Sequence, residues 1–366
     1  MRTKLTRNGK SPRLRNAPVA IGLALALLLA TEKTSHAQWL FTTNNGAITI
    51  TGYTGTNEAV AIPSIINGLP VTGVADYAFE DGLIARASIP ASVAQIGAAP
   101  FSGCANLTEI MVDPLNPAYQ SVDGVLLGGG NTVLVEYPPA RPASSYAIPI
   151  SVTSIGADAF FACASLTSVT LPSGLANIGS VAFVFCDGLT SVTIPDTVTN
   201  LSYGAFKFCA SLTNVVIPGG VTAIAAETFR GAPLASVAIP DSVTSVGDAA
   251  FNGTKLTSVA IPSRVASIGF QAFADCASLT NAVVASARRV DVGREAFAGC
   301  PSLAGVYFRG DAPILGAGLG FDQFAGDTNA TASICRARPA GAIPLADFPP
   351  RRGSRKSRPA VPALAS

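Results

Sequence analysis

Leu189-Thr-Ser-Val-Thr-Ile-Pro195 is one copy of a segment that recurs along the 366-residue chain and decides its fold. Related copies begin at Leu166, Leu212, Leu234 and Leu256, and the prolines that end these copies are 22 or 23 residues apart. Each unit continues with Val-x-x-Ile-Gly and then with Ala-Phe-x-x-Cys. Nine phenylalanines mark nine copies: Phe79, Phe101, Phe160, Phe183, Phe206, Phe229, Phe251, Phe273 and Phe297. A period this short and regular predicts a solenoid in which each unit stacks on the next.

The first half of a unit alternates as a half-buried β-strand does. In the copy at 189–195, Val192 and Ile194 share one face, whereas Ser191 and Thr193 share the opposite face. Pro195 ends the strand, because proline has no backbone N–H and keeps the residue before it extended. Stacking of the units then places equivalent strands parallel, in register and about 4.8 Å apart.

The second half of a unit supplies more apolar side chains for the core. Val198 and Leu201 form a second inward-facing pair. Ala205-Phe206 is predicted to form one helical or 3₁₀ turn that inserts Phe206 into the core. One unit alone cannot bury these side chains, so stability is expected from stacking, at about 1.5–3 kcal/mol for each large apolar residue that becomes fully buried.

Two regions depart from the period. Pro90 and Pro149 are 59 residues apart, and the extra length holds two β-prone runs around Gly128-Gly129-Gly130-Asn131, a pattern typical of a hairpin. We interpret residues 107–148 as an enlarged repeat inside the solenoid, with a plain surface insertion as the alternative. Residues 38–60 contain β-prone runs on either side of Asn45-Gly46, which predicts an N-terminal β-hairpin that caps the first repeat.

The unit Leu-Thr-Ser-Val-x-Ile-Pro-x-x-Val-x-x-Ile-Gly-x-x-Ala-Phe-x-x-Cys resembles the BspA-like leucine-rich repeats of bacterial surface proteins. Residues 189–209 carry it, with Leu201-Ser202 in place of Ile-Gly, and the segments 44–53 and 66–72 look like the leader of such proteins. The resemblance implies a leucine-rich-repeat solenoid over 61–313. It has about nine to ten repeats of 22–24 residues, each with a parallel strand, a short second strand and a 3₁₀ or α turn. The resemblance also implies secretion or surface attachment, and adhesion or protein binding, with no shared catalytic residues.

Residues 1–37 have the features of a secretory signal peptide. A basic segment precedes the apolar run Val19–Ala30, and Ser35-His36-Ala37 provides small residues at the two positions that signal peptidase reads. The run is too short to span a bilayer, so no transmembrane helix is expected in the mature chain; an uncleaved signal anchor is the alternative. Cleavage after Ala37 removes His36, the only histidine of the chain.

The C-terminus departs from the family pattern. The segment 306–313 resembles the family's closing segment, after which a Tyr-Leu-Pro-Gly-Thr-Thr-Gly-Trp stretch is usual, whereas residues 333–341 here read Ser-Ile-Cys-Arg-Ala-Arg-Pro-Ala-Gly. One choice of codons for 333–341 encodes the missing stretch when it is read two bases later. We therefore interpret 314–331 as a degraded C-terminal cap and 332–366 as a disordered Arg/Pro-rich tail produced by a frameshift. A native disordered tail is the alternative.

The net charge of +2 averages three unlike segments. Residues 1–37 and 332–366 each hold seven Lys/Arg and one acidic residue, which leaves ten basic and twenty acidic residues in 38–331. A body with a net charge of −10 argues against a nucleic-acid partner, because phosphates require clustered Lys/Arg. The lack of histidine after cleavage argues against Ser-His-Asp and Cys-His catalysis, so we predict no catalytic site.

Six cysteines share one repeat position, three residues after their phenylalanine: Cys104, Cys163, Cys186, Cys209, Cys276 and Cys300. An even count in an exported protein is typical of disulfides, and Cys163–Cys186 or Cys186–Cys209 are the stacked pairs in question. Equivalent positions in neighbouring units point the same way, however, and free Cys is a small apolar core residue, so buried thiols are favoured. Metal is disfavoured because the chain has no CxxC pair, and no cofactor is predicted.

The outward strand positions form the candidate binding face, which would be a smooth, weakly polar sheet: Ser168, Thr170, Ser191, Thr193, Asn214, Ser236 and Ser258. Solenoids use such surfaces for binding, although Ser and Thr are also common as plain solvated strand residues. The face lacks the aromatic and Arg residues that dominate binding hot spots. Four residues beside the Ala-Phe-x-x-Cys turn are candidate aromatic anchors if they are exposed, with a place in the core as the alternative: Phe161, Phe185, Tyr203 and Phe208.

These features favour a non-enzymatic, secreted or cell-surface protein that binds an extracellular protein or glycan through its solenoid surface. A carbohydrate-active or other extracellular enzyme scaffold is the competing class. A third hypothesis is a passive or truncated product that lacks its original C-terminal anchor or domain.

Overall fold

The structure, a computed structural model, describes residues 38–311, 313–315 and 331–334. It confirms the predicted solenoid of stacked repeats. Each regular coil contains a first strand, a short second strand and a turn segment that carries the core phenylalanine. Equivalent strands of neighbouring coils are parallel and in register, as Ser191 with Asn214 and Asn177 with Asn200 illustrate. The predicted signal peptide at 1–37 and the tail beyond residue 334 lie outside the described residues.

The strands, in chain order, are β1 (Trp39–Asn44), β2 (Ala47–Tyr53), β3 (Ala59–Ala61), β4 (Ile65–Ile66), β5 (Leu69–Val74), β6 (Arg86–Ile89), β7 (Gln95–Ile96), β8 (Glu109–Val112), β9 (Tyr119–Val122), β10 (Val125–Gly128), β11 (Val133–Glu136), β12 (Ser145–Ala147), β13 (Ser154–Ile155), β14 (Ser168–Thr170), β15 (Asn177–Ile178), β16 (Ser191–Thr193), β17 (Asn200–Leu201), β18 (Asn214–Val216), β19 (Ala223–Ile224), β20 (Ser245–Val246), β21 (Ser258–Ile261), β22 (Ser267–Ile268), β23 (Asn281–Val284), β24 (Asp291–Val292), β25 (Gly305–Phe308), β26 (Ile314–Leu315) and β27 (Thr331–Ile334).

The first strands form three ladders: β3-β6-β8, β12-β14-β16-β18 and β21-β23-β25-β27. The gap between β8 and β12 is occupied by residues 113–144 of the enlarged repeat and is called the seam here. The gap between β18 and β21 is the coil at 234–240, where Ile239 is still buried but no strand is assigned. The second strands form a ladder through β11-β13-β15-β17 and another through β19-β20-β22-β24-β26.

The turn segment differs from the predicted helical or 3₁₀ turn, because it is a run of hydrogen-bonded turns. In every regular coil the residues two before and two after the core phenylalanine have positive φ; beside Phe183 these are Val181 (51°) and Phe185 (58°). This alternation sends the Phe183 N–H to the Ala205 oxygen of the next coil, at 2.8 Å, whereas the Cys186 N–H returns to the Phe183 oxygen. The segment therefore forms a third inter-coil ladder, which a helix cannot form because it uses these groups internally.

The core phenylalanines stack along the solenoid axis. From Phe160 to Phe297, successive ring centroids are 4.7–5.8 Å apart and the rings lie within 19° of parallel. Tyr137 takes the equivalent position in the enlarged repeat, 5.0 Å from Phe160. Phe79 and Phe101 form a shorter run, 4.8 Å apart. All nine phenylalanines are at most 2% exposed.

The N-terminal hairpin closes one end of this core. β1 and β2 pair antiparallel around Asn45 and Gly46, whose positive φ values are those of a tight hairpin turn. β2 pairs parallel with β5, which continues the second-strand ladder. The ring of Trp39 packs edge-on against Phe79, the first ring of the stack, at 6.2 Å. The hairpin thus covers apolar surface that would otherwise be exposed.

The enlarged repeat is part of the solenoid wall. β9, β10 and β11 form an antiparallel meander, and β11 pairs parallel with β13, the second strand of the next coil. All four residues of β10 are buried: Leu126 packs in the N-terminal core cluster, whereas Val125 and Leu127 pack in the C-terminal one. β10 therefore contributes side chains to both core clusters.

Glu136 is the buried acid of the seam. Its carboxyl group accepts a hydrogen bond from the Phe101 N–H, a donor that binds a carbonyl of the next coil in regular repeats. Its Oε2 atom is buried without a hydrogen-bond partner among the described residues. Burial raises the pKa of Glu136 well above its ordinary value, and nearby Asp158 acts in the same direction. Asp158 in turn accepts a hydrogen bond from the Tyr77 hydroxyl at 3.2 Å, which joins the two sides of the seam.

The six cysteines are buried, and no disulfide joins any two of them. The Cys186 thiol donates to the Phe160 oxygen at 3.1 Å, and the Cys209 thiol donates to the Phe183 oxygen at 3.0 Å. The thiols of the other four cysteines likewise donate to a backbone carbonyl oxygen of the preceding coil. A small side chain with a weak donor thus satisfies a buried carbonyl, which explains a cysteine at this position.

The last described strand crosses a predicted boundary. β27 pairs parallel with β25, so that Val306 faces Ala332 and Phe308 faces Ile334. Residues 332–334 therefore continue the first-strand ladder, in contrast to the expectation that the disordered tail starts at 332. The predicted frameshift product from residue 335 onward is outside the described residues.

We predict that Phe206→Ala lowers the free energy of unfolding by about 3–5 kcal/mol, because it removes a buried ring from the middle of the stack. Urea denaturation followed by circular dichroism measures the change. Phe208→Ala is the matched control, since this neighbouring ring is only half-buried. Equal losses for the two variants would contradict the stacking argument.

We predict that Glu136→Gln removes part of the pH dependence of stability. The native pKa is raised, so the native state holds a proton that the unfolded chain releases. The contribution of Glu136 to the free energy of unfolding is therefore fully present below about pH 4.5. It declines by about 1.4 kcal/mol per pH unit as the pH rises from there toward the native pKa. The amide keeps an oxygen for the Phe101 N–H and cannot ionise. Denaturation at pH 4.5 and pH 7.5 measures the free energy of unfolding of both proteins. Relative to the wild type, the variant should be more stable at pH 7.5 than at pH 4.5. An equal difference between the two proteins at both pH values would refute the raised pKa of Glu136.

We predict that the thiols resist alkylation in the native protein. Burial raises the pKa of the Cys104 thiol to about 12, and burial also raises the pKa values of Cys186 and Cys209. Contacts with the Cys300 and Thr254 side chains instead lower the pKa of Cys276, so Cys276 should react first. Timed iodoacetamide labelling of a Cys335→Ser variant, read by peptide mass spectrometry, gives the order; rapid labelling of Cys209 in the folded protein would be inconsistent with it.

Candidate functional site

The predicted binding face is a set of exposed side chains on the first strands. Ser168, Ser191 and Asn214 are directly paired across β14, β16 and β18, and all three are exposed. Thr170, Thr193 and Ser258 are exposed as well. Ser236 is exposed but belongs to the coil without a first strand, so the face is interrupted there.

Many neighbouring hydroxyls have a structural role instead. The Thr167 hydroxyl donates to the Ser144 oxygen of the preceding coil at 2.8 Å, and the Thr280 hydroxyl donates to the Thr257 oxygen at 2.9 Å. The threonine that follows the repeat leucine thus helps hold coils together. The next residue along, such as Ser168, is exposed and belongs to the predicted face.

The four predicted anchors lie together on the turn segments of three consecutive coils. The rings of Phe161 and Phe185 meet edge to face at 5.8 Å, and those of Phe185 and Phe208 stack at 5.5 Å. Phe185 is 42% and Tyr203 is 45% exposed, whereas Phe161 and Phe208 are half-buried. These four side chains, called the aromatic row here, are therefore outside the core.

Backbone conformation explains why this row faces outward. Phe185 and Phe208 both follow a core phenylalanine by two residues and have left-handed φ values of 58° and 57°. This φ region is unusual for a bulky residue and persists only where the surrounding structure fixes it. Here the inter-coil ladder fixes it, since the N–H groups of both residues donate to the next coil.

Charged side chains surround the C-terminal end of the row. The Lys207 ammonium lies 5.0 Å and the Arg230 guanidinium 5.8 Å from the Phe208 ring centroid. Both cations pair with Glu227, which also accepts a hydrogen bond from the Tyr203 hydroxyl at 2.8 Å. Burial alone favours the neutral acid, but the hydrogen bonds from Lys207, Tyr203 and Arg230 outweigh it and lower the pKa of Glu227. The repeat pattern did not predict this charged group, although Lys207 between Phe206 and Phe208 is a visible signal for it.

The described residues were compared with the arrangements typical of metal sites and membrane helices. Within them, no group of three or more His, Cys, Asp or Glu side chains is arranged to bind a metal ion. In the same part of the chain, no helix is long and apolar enough to cross a bilayer.

Comparison with protein families gives a match to the BspA type leucine rich repeat region, in six copies over residues 58–118, 141–253 and 222–318. These ranges include most of the solenoid. The chain belongs to the BspA-type leucine-rich repeat family. The resemblance inferred from the repeat unit is thus confirmed. A search of curated proteins finds no match.

Solved structures similar to this BspA-type chain come from several bacteria. A leucine-rich repeat protein from Bacteroides ovatus is 22% identical, with 74% of this chain and 69% of that chain covered and a TM-score of 0.43. A leucine rich cell surface protein from Faecalibacterium prausnitzii is 23% identical, with 76% of each chain covered and a TM-score of 0.33. A leucine rich repeat protein from T. pallidum is 25% identical, with 74% and 91% covered and a TM-score of 0.32.

Proposed function

We propose that this protein is a non-enzymatic bacterial cell-surface protein, exported by its N-terminal segment, that binds an extracellular protein through the aromatic row. The mutual packing of Phe161, Phe185 and Phe208 and the exposure of Phe185 and Tyr203 carry this proposal. Aromatic and Arg side chains are the residues that most often dominate protein–protein binding energy. The row also supplies the anchors that the Ser- and Thr-rich strand face lacks.

The packing of the row reduces the entropic cost of binding. Phe185 is held between the rings of Phe161 and Phe208, and Tyr203 is held by its hydrogen bond to Glu227. Side chains that are already ordered lose little conformational freedom when a partner covers them. Ring edges remain available because the ring faces of Phe185 and Phe208 cover each other, which suits an apolar protein side chain.

The charges around the row favour a particular partner chemistry. Lys207 and Arg230 share one carboxylate, Glu227, so the cluster carries a net positive charge on a body that is otherwise acidic. A segment that presents a carboxylate next to an apolar residue complements both features. The expected partner is therefore an extracellular protein with an acidic, partly apolar surface segment.

The strand face supports a second candidate function, the binding of an extended glycan. Ser168, Ser191 and Asn214 form a flat row of exposed hydrogen-bonding groups, in register across three strands. Val216, 54% exposed at the edge of this row, provides an apolar contact.

We predict that Phe185→Ala weakens binding to the protein partner at least about tenfold, as expected for an aromatic hot spot. The partner is first found by surface plasmon resonance over immobilised matrix and plasma proteins. Val216→Ser on the strand face is the matched control, since it also removes an exposed apolar side chain. Because Phe185 is on the surface, the melting temperature should stay within a few degrees of the wild type.

The same variants separate the two candidate functions. Loss of protein binding in Phe185→Ala alone supports the aromatic row. Unchanged protein binding in Phe185→Ala overturns the proposal, and glycan capture that depends on Val216 points to the strand face instead.

A further inference from the structure

The seam carries a cleft that is separate from the aromatic row. It has a volume of about 390 Å³, is open to solvent, and is lined by Arg86, Thr108, Glu109, Asp123, Arg141 and Pro142. Arg86 and Glu109 begin the paired strands β6 and β8, and their side chains form an ion pair at 3.0 Å. Asp123 lies in the turn between β9 and β10, and Arg141 lies between β11 and β12. The cleft therefore exists because the first-strand ladder stops at β8 and resumes at β12.

Two aromatic rings hold Arg141 in place at the cleft wall. Its guanidinium lies 5.6 Å from the Tyr137 ring centroid and 5.4 Å from that of Tyr146. The Tyr146 side chain is 9% exposed, and its hydroxyl is buried without a hydrogen-bond partner in the described part of the chain. Within the same residues, Arg141 and Asp123 have no ion-pair partner within 4 Å. The cleft thus presents an ordered guanidinium, a carboxylate without an ion-pair partner among the described residues, and the Arg86–Glu109 ion pair.

The charges of the lining argue against a simple ion as ligand. Two arginines and two carboxylates line the cleft. An anion would be repelled by Asp123 and Glu109, and a cation would be repelled by Arg86 and Arg141. A polyhydroxylated ligand suits this lining, because each hydroxyl can donate to a carboxylate and accept from a guanidinium. Its volume is within the usual range of small-ligand sites, roughly 300–1,000 Å³.

We propose that the cleft binds one neutral sugar residue, at the end or at a branch of a glycan. Asp123 accepts from sugar hydroxyls, Arg141 donates to them, and Arg86 and Glu109 add a second donor and acceptor. Ser145, three residues after Pro142 of the cleft lining, is exposed and begins β12, so the first-strand ladder that starts there offers a path for the rest of the glycan. The inference does not depend on the proposed protein-binding function, since the two surfaces share no residue.

Saturation-transfer difference NMR tests the proposal on the full chain. The probes are methyl β-glucopyranoside, methyl β-galactopyranoside, methyl α-mannopyranoside and N-acetylglucosamine, with acetate and alanine as anionic and zwitterionic comparisons. The test variants are Asp123→Asn and Arg141→Lys. Asp123 has a left-handed φ of 51°, which asparagine also tolerates, so Asp123→Asn removes the charge and leaves the turn. Asp241→Asn, in an exposed turn of a regular repeat, is the matched control.

We expect at least one neutral glycoside to receive saturation, and its affinity to fall about tenfold in Asp123→Asn and in Arg141→Lys but not in Asp241→Asn. Three results would overturn the proposal: no glycoside binds, binding is equal in all four proteins, or only acetate or alanine binds. Retained circular dichroism and melting temperature in Asp123→Asn exclude loss of fold as the cause of lost binding.

Discussion

Each coil of this protein is covered only by the coils directly before and after it, and every other feature depends on that contact. The ring stack places Phe183 against Phe160 on one side and Phe206 on the other. Three hydrogen-bond ladders, through the first strands, the second strands and the turn segments, keep equivalent residues in register. Surface residues inherit the same spacing, which is why Phe185 and Phe208 meet at 5.5 Å although they are 23 positions apart in the sequence.

The elements that depend on local sequence could be predicted. Strand alternation follows from Val192 and Ile194, and the hairpin turn follows from Asn45-Gly46, since these are properties of a few adjacent residues. The Ile-Gly motif recurs in the sequence, but its explanation is a contact between coils: a Cβ atom on Gly179 would lie 2.6 Å from the carbonyl carbon of Gly156. The turn segment could not be predicted, because left-handed φ at Val181 opposes its intrinsic preference and is fixed by hydrogen bonds to another coil.

The candidate sites also divide into features that the local sequence predicts and features that depend on contacts between distant segments. The repeat register predicted that Ser168 and Ser191 face outward. The sequence did not decide between core and surface for Phe161, because it directly follows the core residue Phe160. The cleft could not be predicted from the sequence for a different reason. Arg86, Asp123 and Arg141 come from three separate segments around the irregular repeat, where periodicity gives no information on which residues lie close together. A site formed by an irregular repeat is therefore recognised from the structure and not from the repeat pattern.

The strand β10 has a consequence for how the chain withstands force. Leu126 is buried in one core cluster, while Val125 and Leu127 on either side of it are buried in the other. In a one-dimensional array, such a place is a boundary between two cooperative blocks, since neighbouring coils contribute most of each other's stability. Tension applied to the ends of the chain should release one block as a unit before the other, with β10 and the Tyr77–Asp158 hydrogen bond forming the connection that yields between them. The solenoid would then extend in two steps under tension instead of unfolding all at once.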